Sequence, residues 1–236
     1  MLETITASAV TTASLATLGL AGGAAYLSPG LWRYYRMNRI RRELVKNRTL
    51  VLTYDDGPSL LTPQLLDLLQ SAGARATFFL LGRNAAQHPE IIERMVREGH
   101  DAACHTDQHL NAWKTLPGKA IADINAGYQR LSPWVQPNGM FRPPYGKMTF
   151  PTYRSLRRRG ASVWWWTIDS GDTHEVLPSV SAVAERVQRE GGGIVLMHDL
   201  DRTQPRNDFV LELTAKLLDV AHRESLNIMP LRQLCV

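Results

Sequence analysis

The run Thr49-Leu50-Val51-Leu52-Thr53-Tyr54-Asp55-Asp56-Gly57-Pro58 decides the fold class. Its first six residues form a short strand, rich in β-branched and apolar side chains, that ends abruptly in two carboxylates and a Gly-Pro turn. Pro63 then opens a helix whose Leu65, Leu66, Leu68 and Leu69 recur at helical spacing, stopped by Gly73. Strand, polar turn and amphipathic helix make one βα step.

Outward from that step the pattern repeats to the C-terminus. Apolar strands are expected at 76–81, 102–104, 140–141, 162–168, 193–197 and 227–229, with helices near 89–98, 119–131, 152–159, 180–190 and 209–222. About seven such steps with buried strands imply an α/β protein whose strands pair in parallel, as a barrel or an open sheet. Either arrangement gathers active residues at the C-terminal ends of its strands. Asp55-Asp56, His105 to His109, Arg142, Asp169 to Asp172 and His198 all directly follow apolar strands. They are therefore expected to form one site.

Bulk properties bound the rest. A chain of 236 residues, 44% hydrophobic and 21% charged, is an ordinary globular protein with one main core. The net charge of +5 is local: seven Lys/Arg stand between Arg33 and Arg48 against the single acid Glu43. From Thr49 onward 20 basic residues face 20 acidic ones, so no basic stripe marks a nucleic-acid enzyme and no nucleic-acid partner is expected. Cys104 and Cys235 read as two reduced thiols.

The domain division places an N-terminal segment at 1–48 and the catalytic domain at 49–236. No charge occurs from Thr4 to Trp32, a length that could cross a bilayer, although Ala, Thr, Ser and Gly make it weakly hydropathic. A secretory signal would need early positive charge, and Glu3 stands there instead. Anchor, interfacial helix and loose extension remain. The aromatic junction Trp32, Tyr34, Tyr35 and the basic stretch that follows favour an anionic membrane surface, with the catalytic domain facing the cytoplasm. A soluble cytoplasmic protein is the alternative.

The candidate chemistry is hydrolytic. His105 and His109 stand four apart, and a helical turn would put both on one face. With one carboxylate they make a two-His, one-carboxylate set that leaves metal positions open for water and substrate. Asp55 and Asp56 allow one carboxylate to bind metal while the other accepts a proton. Arg142, stiffened by Pro143 and Pro144, can hold a carboxylate, and a backbone N–H of its loop can face an oxyanion. His198 can protonate a leaving group, with Asp172 favouring its charged form. Singly, each motif has a structural reading as a turn, a cap or a core histidine, and Trp164-Trp165-Trp166 reads as alternating core and rim packing. Together, at strand ends of one chain, they read as a site.

In these motifs the sequence resembles the NodB-type polysaccharide deacetylases, carbohydrate esterase family four. Thr53-Tyr54-Asp55-Asp56-Gly57-Pro58 is similar to T-F-D-D-G-P, and His105-Thr106-Asp107-Gln108-His109 to H-S/T-x-x-H. Arg142-Pro143-Pro144-Tyr145-Gly146 is similar to R-x-P-Y-G, Asp169-Ser170-Gly171-Asp172 to D-x-x-D, and Leu196-Met197-His198 to L-x-H. The resemblance runs from about Thr49 to the C-terminus. It implies a distorted (β/α) barrel of about seven parallel strands, the NodB homology domain, with a Zn²⁺-type site that Co, Ni or Mn can also fill.

Carried over, Asp55 is the general base and Asp56, His105 and His109 the metal ligands. Arg142 orients Asp55, the Tyr145 backbone N–H stabilises the oxyanion, His198 tuned by Asp172 is the general acid, and Leu196 lines the acyl pocket. The implied activity is removal of N-acetyl, or another small N-acyl group, from an amino sugar in a polysaccharide, oligosaccharide or lipid-linked glycan. An O-acetyl esterase and an inactive glycan-binding barrel are the alternatives. Two departures stand out: Leu110 where the family has proline, and Thr173 where it has the tryptophan that walls the acyl pocket.

Overall fold

The computed structural model describes residues 30–234. Strand β1 (Thr49–Asp55) is buried along its whole length. It has parallel partners on both edges, β2 (Thr77–Leu80) and β7 (Gly193–His198), which explains why it is buried on both faces. With β3 (Asp101–Cys104), β4 (Met140–Phe141), β5 (Ser162–Val163) and β6 (Ile168–Asp169), the order is β5-β4-β3-β2-β1-β7-β6, every pairing parallel. A short β8 (Asn227–Ile228) adds to the start of β1.

The sequence predicts one strand over 162–168. The structure divides it, because β5 pairs with β4 and β6 with β7 at opposite ends of the strand order. Those ends are joined by only Trp164 to Thr167, so the sheet must curl into the distorted barrel. Four residues span the opening that a closed ladder would otherwise fill.

Helices α2 (Thr62–Ser71), α4 (Pro89–Arg97), α5 (Pro117–Arg130), α6 (Phe150–Arg159), α7 (Val180–Glu190) and α8 (Gln204–Arg223) surround the sheet, with a one-turn α3 (Gly82–Ala85) that the sequence does not announce. Their inward faces are the apolar stripes read from spacing: Leu65, Leu66 and Leu69 on α2, and Ile91, Ile92 and Met95 on α4. Tyr54 ties β1 to α8 through a hydroxyl pair with Thr214 at 2.9 Å.

Residues 30–46 form a further helix, α1. Its Met37, Ile40 and Leu44 are buried in the main core. Trp32 lies against Tyr153 and Trp165, with ring centroids 5.1 and 5.5 Å apart. Arg36 donates to the Val163 carbonyl and lies over the ring of Trp164 at 4.8 Å. Part of the stretch read as a basic flank is thus a helix docked on the barrel. Among the described residues no helix is long and apolar enough to cross a membrane. Most of the uncharged run 4–32, and Cys235, lie outside the described residues; Cys104 is a buried free thiol.

Candidate active site

Five strand ends deliver the polar clusters to one place. Asp55 closes β1, His105 follows β3, Arg142 follows β4, Asp169 closes β6 and His198 closes β7. Asp55, Asp56, His105, His109, Tyr145, Leu196 and His198 all line one cleft of about 470 Å³. Arg142 and Asp172 lie beneath it, 0% and 2% exposed, and are paired to the cleft residues Asp55 and His198 respectively.

Asp56, His105 and His109 each present one ligand atom, all within 4.8 Å of one another. His109 Nε2 stands 3.3 Å and His105 Nε2 3.5 Å from Asp56 Oδ1. That oxygen is buried and has no hydrogen-bond partner. A buried carboxylate oxygen without a donor is costly, and a cation between it and two imidazole nitrogens removes the cost. The donor set therefore fits a divalent metal.

His105 is held from behind. Its Nδ1 lies 2.7 Å from the Arg142 carbonyl oxygen, which can only accept, so the ring proton is on Nδ1 and Nε2 carries a free lone pair. Burial pushes the pKa of His105 down to about 3 against the pull of Asp56, and burial likewise lowers His109. Both rings are neutral, the form that ligates.

The expected helical turn at His105 to His109 does not form. Residues 105–110 make a loop with positive φ at Thr106 (73°) and His109 (61°). Asp123 on α5 shapes it: Gln108 N donates to Asp123 Oδ1 at 2.7 Å and Leu110 N to Oδ2 at 3.2 Å. Once its amides bond to a side chain, the segment has no need of helical i to i−4 bonds. Asp123 is a site-building residue that the sequence reading missed; it lies 14 residues beyond His109 on a separate element, a spacing that carried no signal.

On the other wall, Arg142 Nη1 donates to Asp55 Oδ1 at 2.7 Å and to Thr53 Oγ1 at 2.8 Å. Burial raises the Asp55 pKa, and the charges of Arg142 and His198 oppose that rise. His198 Nδ1 donates to Asp172 Oδ1 at 2.9 Å, and the His198 amide to Asp172 Oδ2 at 2.8 Å. Burial alone would discharge His198, but Asp172, helped by Asp55 and Asp56, lifts it to about 9.

Tyr145 sits at φ 57° in a single 3₁₀ turn, Pro144–Gly146, its ring 4.6 Å from that of His109. Trp164 and Trp165 are both buried, so core and rim do not alternate along the run as expected, and Trp166 lines the cleft. Arg83, Leu200 and Arg202 also line it and were not singled out from sequence, because nothing local distinguishes them from surface residues. Thr173 lines the same cleft. Asp199, read only as a strand terminus, is buried under the Asp55–Pro58 turn and accepts from Ser59 Oγ (2.9 Å) and Thr62 Oγ1 (2.6 Å).

A family model described as polysaccharide deacetylase matches residues 43–164, a span that contains Asp55, Asp56, His105, His109 and Arg142. A peptidoglycan-N-acetylglucosamine deacetylase of Bacillus cereus is 34% identical over 164 residues, covering 66% of this chain and 76% of the relative. A chitooligosaccharide deacetylase of Bradyrhizobium is 31% identical over 203 residues, covering 79% and 90%. Among solved structures, a family 4 carbohydrate esterase from Streptomyces lividans, in complex with acetate, superposes with a TM-score of 0.68 at 28% identity, covering 76% of this chain and 91% of that one.

Proposed function

The chain belongs to the polysaccharide deacetylase family, and from that premise we propose that it hydrolyses the N-acetyl amide of an amino sugar within a glycan, releasing acetate and a free amine. The observation that carries the reading is the placement of a three-ligand cluster in one cleft with two ion-paired groups, Asp55 paired with Arg142 and His198 paired with Asp172. Related proteins whose names give N-acetylglucosamine polymers or chitooligosaccharides as substrates support the substrate class.

Asp56, His105 and His109 would hold the ion, which supplies Lewis acidity to the acyl carbonyl and to water. Zinc is the metal we assign; cobalt, nickel and manganese suit the same ligands. Arg142 occupies Asp55 Oδ1, leaving Oδ2 to take the proton from the attacking water. The water oxygen adds to the acyl carbon, and the backbone N–H of Tyr145 donates to the oxyanion. His198, protonated at neutral pH, gives its proton to the amine nitrogen as the C–N bond breaks. Leu196, 4% exposed, bounds the acyl group, and Trp166 contributes an aromatic surface to a cleft that also contains Thr173.

For localisation, the uncharged run 4–32, the basic residues to Arg48, and the exposed Leu31, Tyr34 and Tyr35 on α1 support attachment to an anionic membrane surface, the catalytic domain facing the cytoplasm. Release of the protein from membranes by carbonate would rule out a spanning anchor.

The decisive test is free-amine release from N-acetylglucosamine oligomers. Chelation should abolish it, added zinc restore it, and His105→Ala eliminate it with loss of bound metal. No amine from any N-acyl sugar, with metal present, defeats the assignment.

A further inference from the structure

Beside the catalytic cleft lies a second groove of about 470 Å³, between α1 and the turn Pro144–Gly146. The two share Tyr145 and Trp166 and therefore adjoin. Its charge is one-sided. Arg33, Arg41 and Lys147 line it, and no Asp or Glu does among the described residues. Arg41 is paired at its outer end with Glu190, at 3.3 Å. Among the described residues Arg33 and Lys147 have no carboxylate partner: Arg33 bonds the Gly146 carbonyl at 3.3 Å and lies over Trp166 at 4.9 Å, and Lys147 Nζ stands over Trp113 at 4.8 Å.

The groove is built rather than incidental. A Cβ on Gly146 would fall 2.8 Å from Arg33 Nη1 and 2.9 Å from Trp166, so glycine there is what lets the guanidinium reach the turn beside the cleft. Burial, and then the charge of Arg142, disfavour the charged form of Arg33. An anion in the groove would favour the charged form. Trp113, half exposed, offers an indole face to the C–H side of a sugar ring. The α1 residues that form the outer wall, Gly30 to Arg41, lie outside the residues matched by the family model.

Resting on the deacetylase reading above, we propose that this groove is a subsite for an anionic group, phosphate or carboxylate, borne by the glycan beside the sugar that loses its acetyl. The natural substrate is thus an acidic N-acetylated glycan. Charge-assisted bonds to Arg33 and Lys147 hold the anion, and the indole of Trp113 packs on the intervening ring.

The test compares three N-acetylglucosamine oligomers of equal length: neutral, phosphate-bearing at the reducing end, and uronate-bearing. For the wild-type enzyme kcat/KM should favour at least one acidic oligomer by about tenfold, an advantage that shrinks with added salt because the groove is open to solvent. Lys147→Gln should bring the acidic-to-neutral ratio near one, and Lys147→Arg should restore it. Quenching of tryptophan fluorescence by the same oligomers reports binding apart from turnover. Acidic preference in binding without hydrolysis of any oligomer sinks the deacetylase reading and keeps the subsite. Equal kcat/KM and equal quenching for all three, or a preference untouched by Lys147→Gln, overturns the subsite and leaves hydrolysis of the neutral oligomer standing.

Discussion

Asp55 and His198 are register partners on the adjacent parallel strands β1 and β7. Partners in a parallel ladder project to the same side, so the proton acceptor and the proton donor proposed here face one cleft by construction. What separates their behaviour is the third group behind each, Arg142 for one and Asp172 for the other.

That difference sets the pH dependence. His198 must be protonated to act as an acid, and its pKa is lifted to about 9, so activity should hold through neutral pH and fall as pH rises through about 9. Asp172→Asn removes the carboxylate that sustains the charge, and the alkaline limb should move down toward the ordinary histidine value of 6.5. Profiles of kcat against pH for both proteins decide it; coincident alkaline limbs would mean that another group sets the limb.

Arg142→Met should damage stability and rate together. It leaves Asp55 buried without its cation, a loss of about 3–5 kcal/mol for a broken buried pair, and should lower kcat by about 10²-fold or more. Adding Asp55→Asn to Arg142→Met should recover much of the stability and none of the activity. Urea denaturation beside steady-state kinetics reads both, and a double variant no more stable than the single one would show the cost to lie elsewhere.

Gly127→Ala tests how the histidine loop is positioned. A Cβ there would fall 2.5 Å from the carbonyl carbon of Thr106, inside any allowed contact. Over-packing of this kind costs about 1–3 kcal/mol, and the displaced backbone carries His105 and His109 with it. A weaker metal affinity by titration, beyond what the loss in melting temperature accounts for, is the expected result. Wild-type affinity would mean that α5 yields instead of the loop.

Asp199→Ala separates support from chemistry. The change strips the acceptor from Ser59 Oγ and Thr62 Oγ1 under the Asp55–Pro58 turn, which should cost about 1–3 kcal/mol. The backbone bond from the Asp199 amide to the Asp55 carbonyl, at 2.7 Å, does not depend on the side chain. Thermal melting should therefore fall clearly while kcat changes less than about tenfold, within the span of one kcal-scale perturbation. A collapse of kcat in a protein that melts normally would place Asp199 in the reaction itself.

The sequence alone was sufficient for the repeating βα order, the buried strands, and the gathering of Asp55, Asp56, His105, Arg142, Asp172 and His198 at one end of a sheet. Each of those follows from a local rule: apolar runs make strands, and polar residues at their C-terminal ends meet because parallel strands all point one way. Tertiary structure decided what depends on distant partners. The loop at 105–110 replaced a helical turn because Asp123, from a helix beyond it, takes its amides. The strand at 162–168 divided because its two halves pair at opposite ends of a curled sheet. Residues 30–46, legible only as a basic flank, became a docked helix because Met37, Ile40 and Leu44 meet a core that exists only after the barrel has formed. Periodicity reports what a residue needs, and only packing reports which neighbour supplies it.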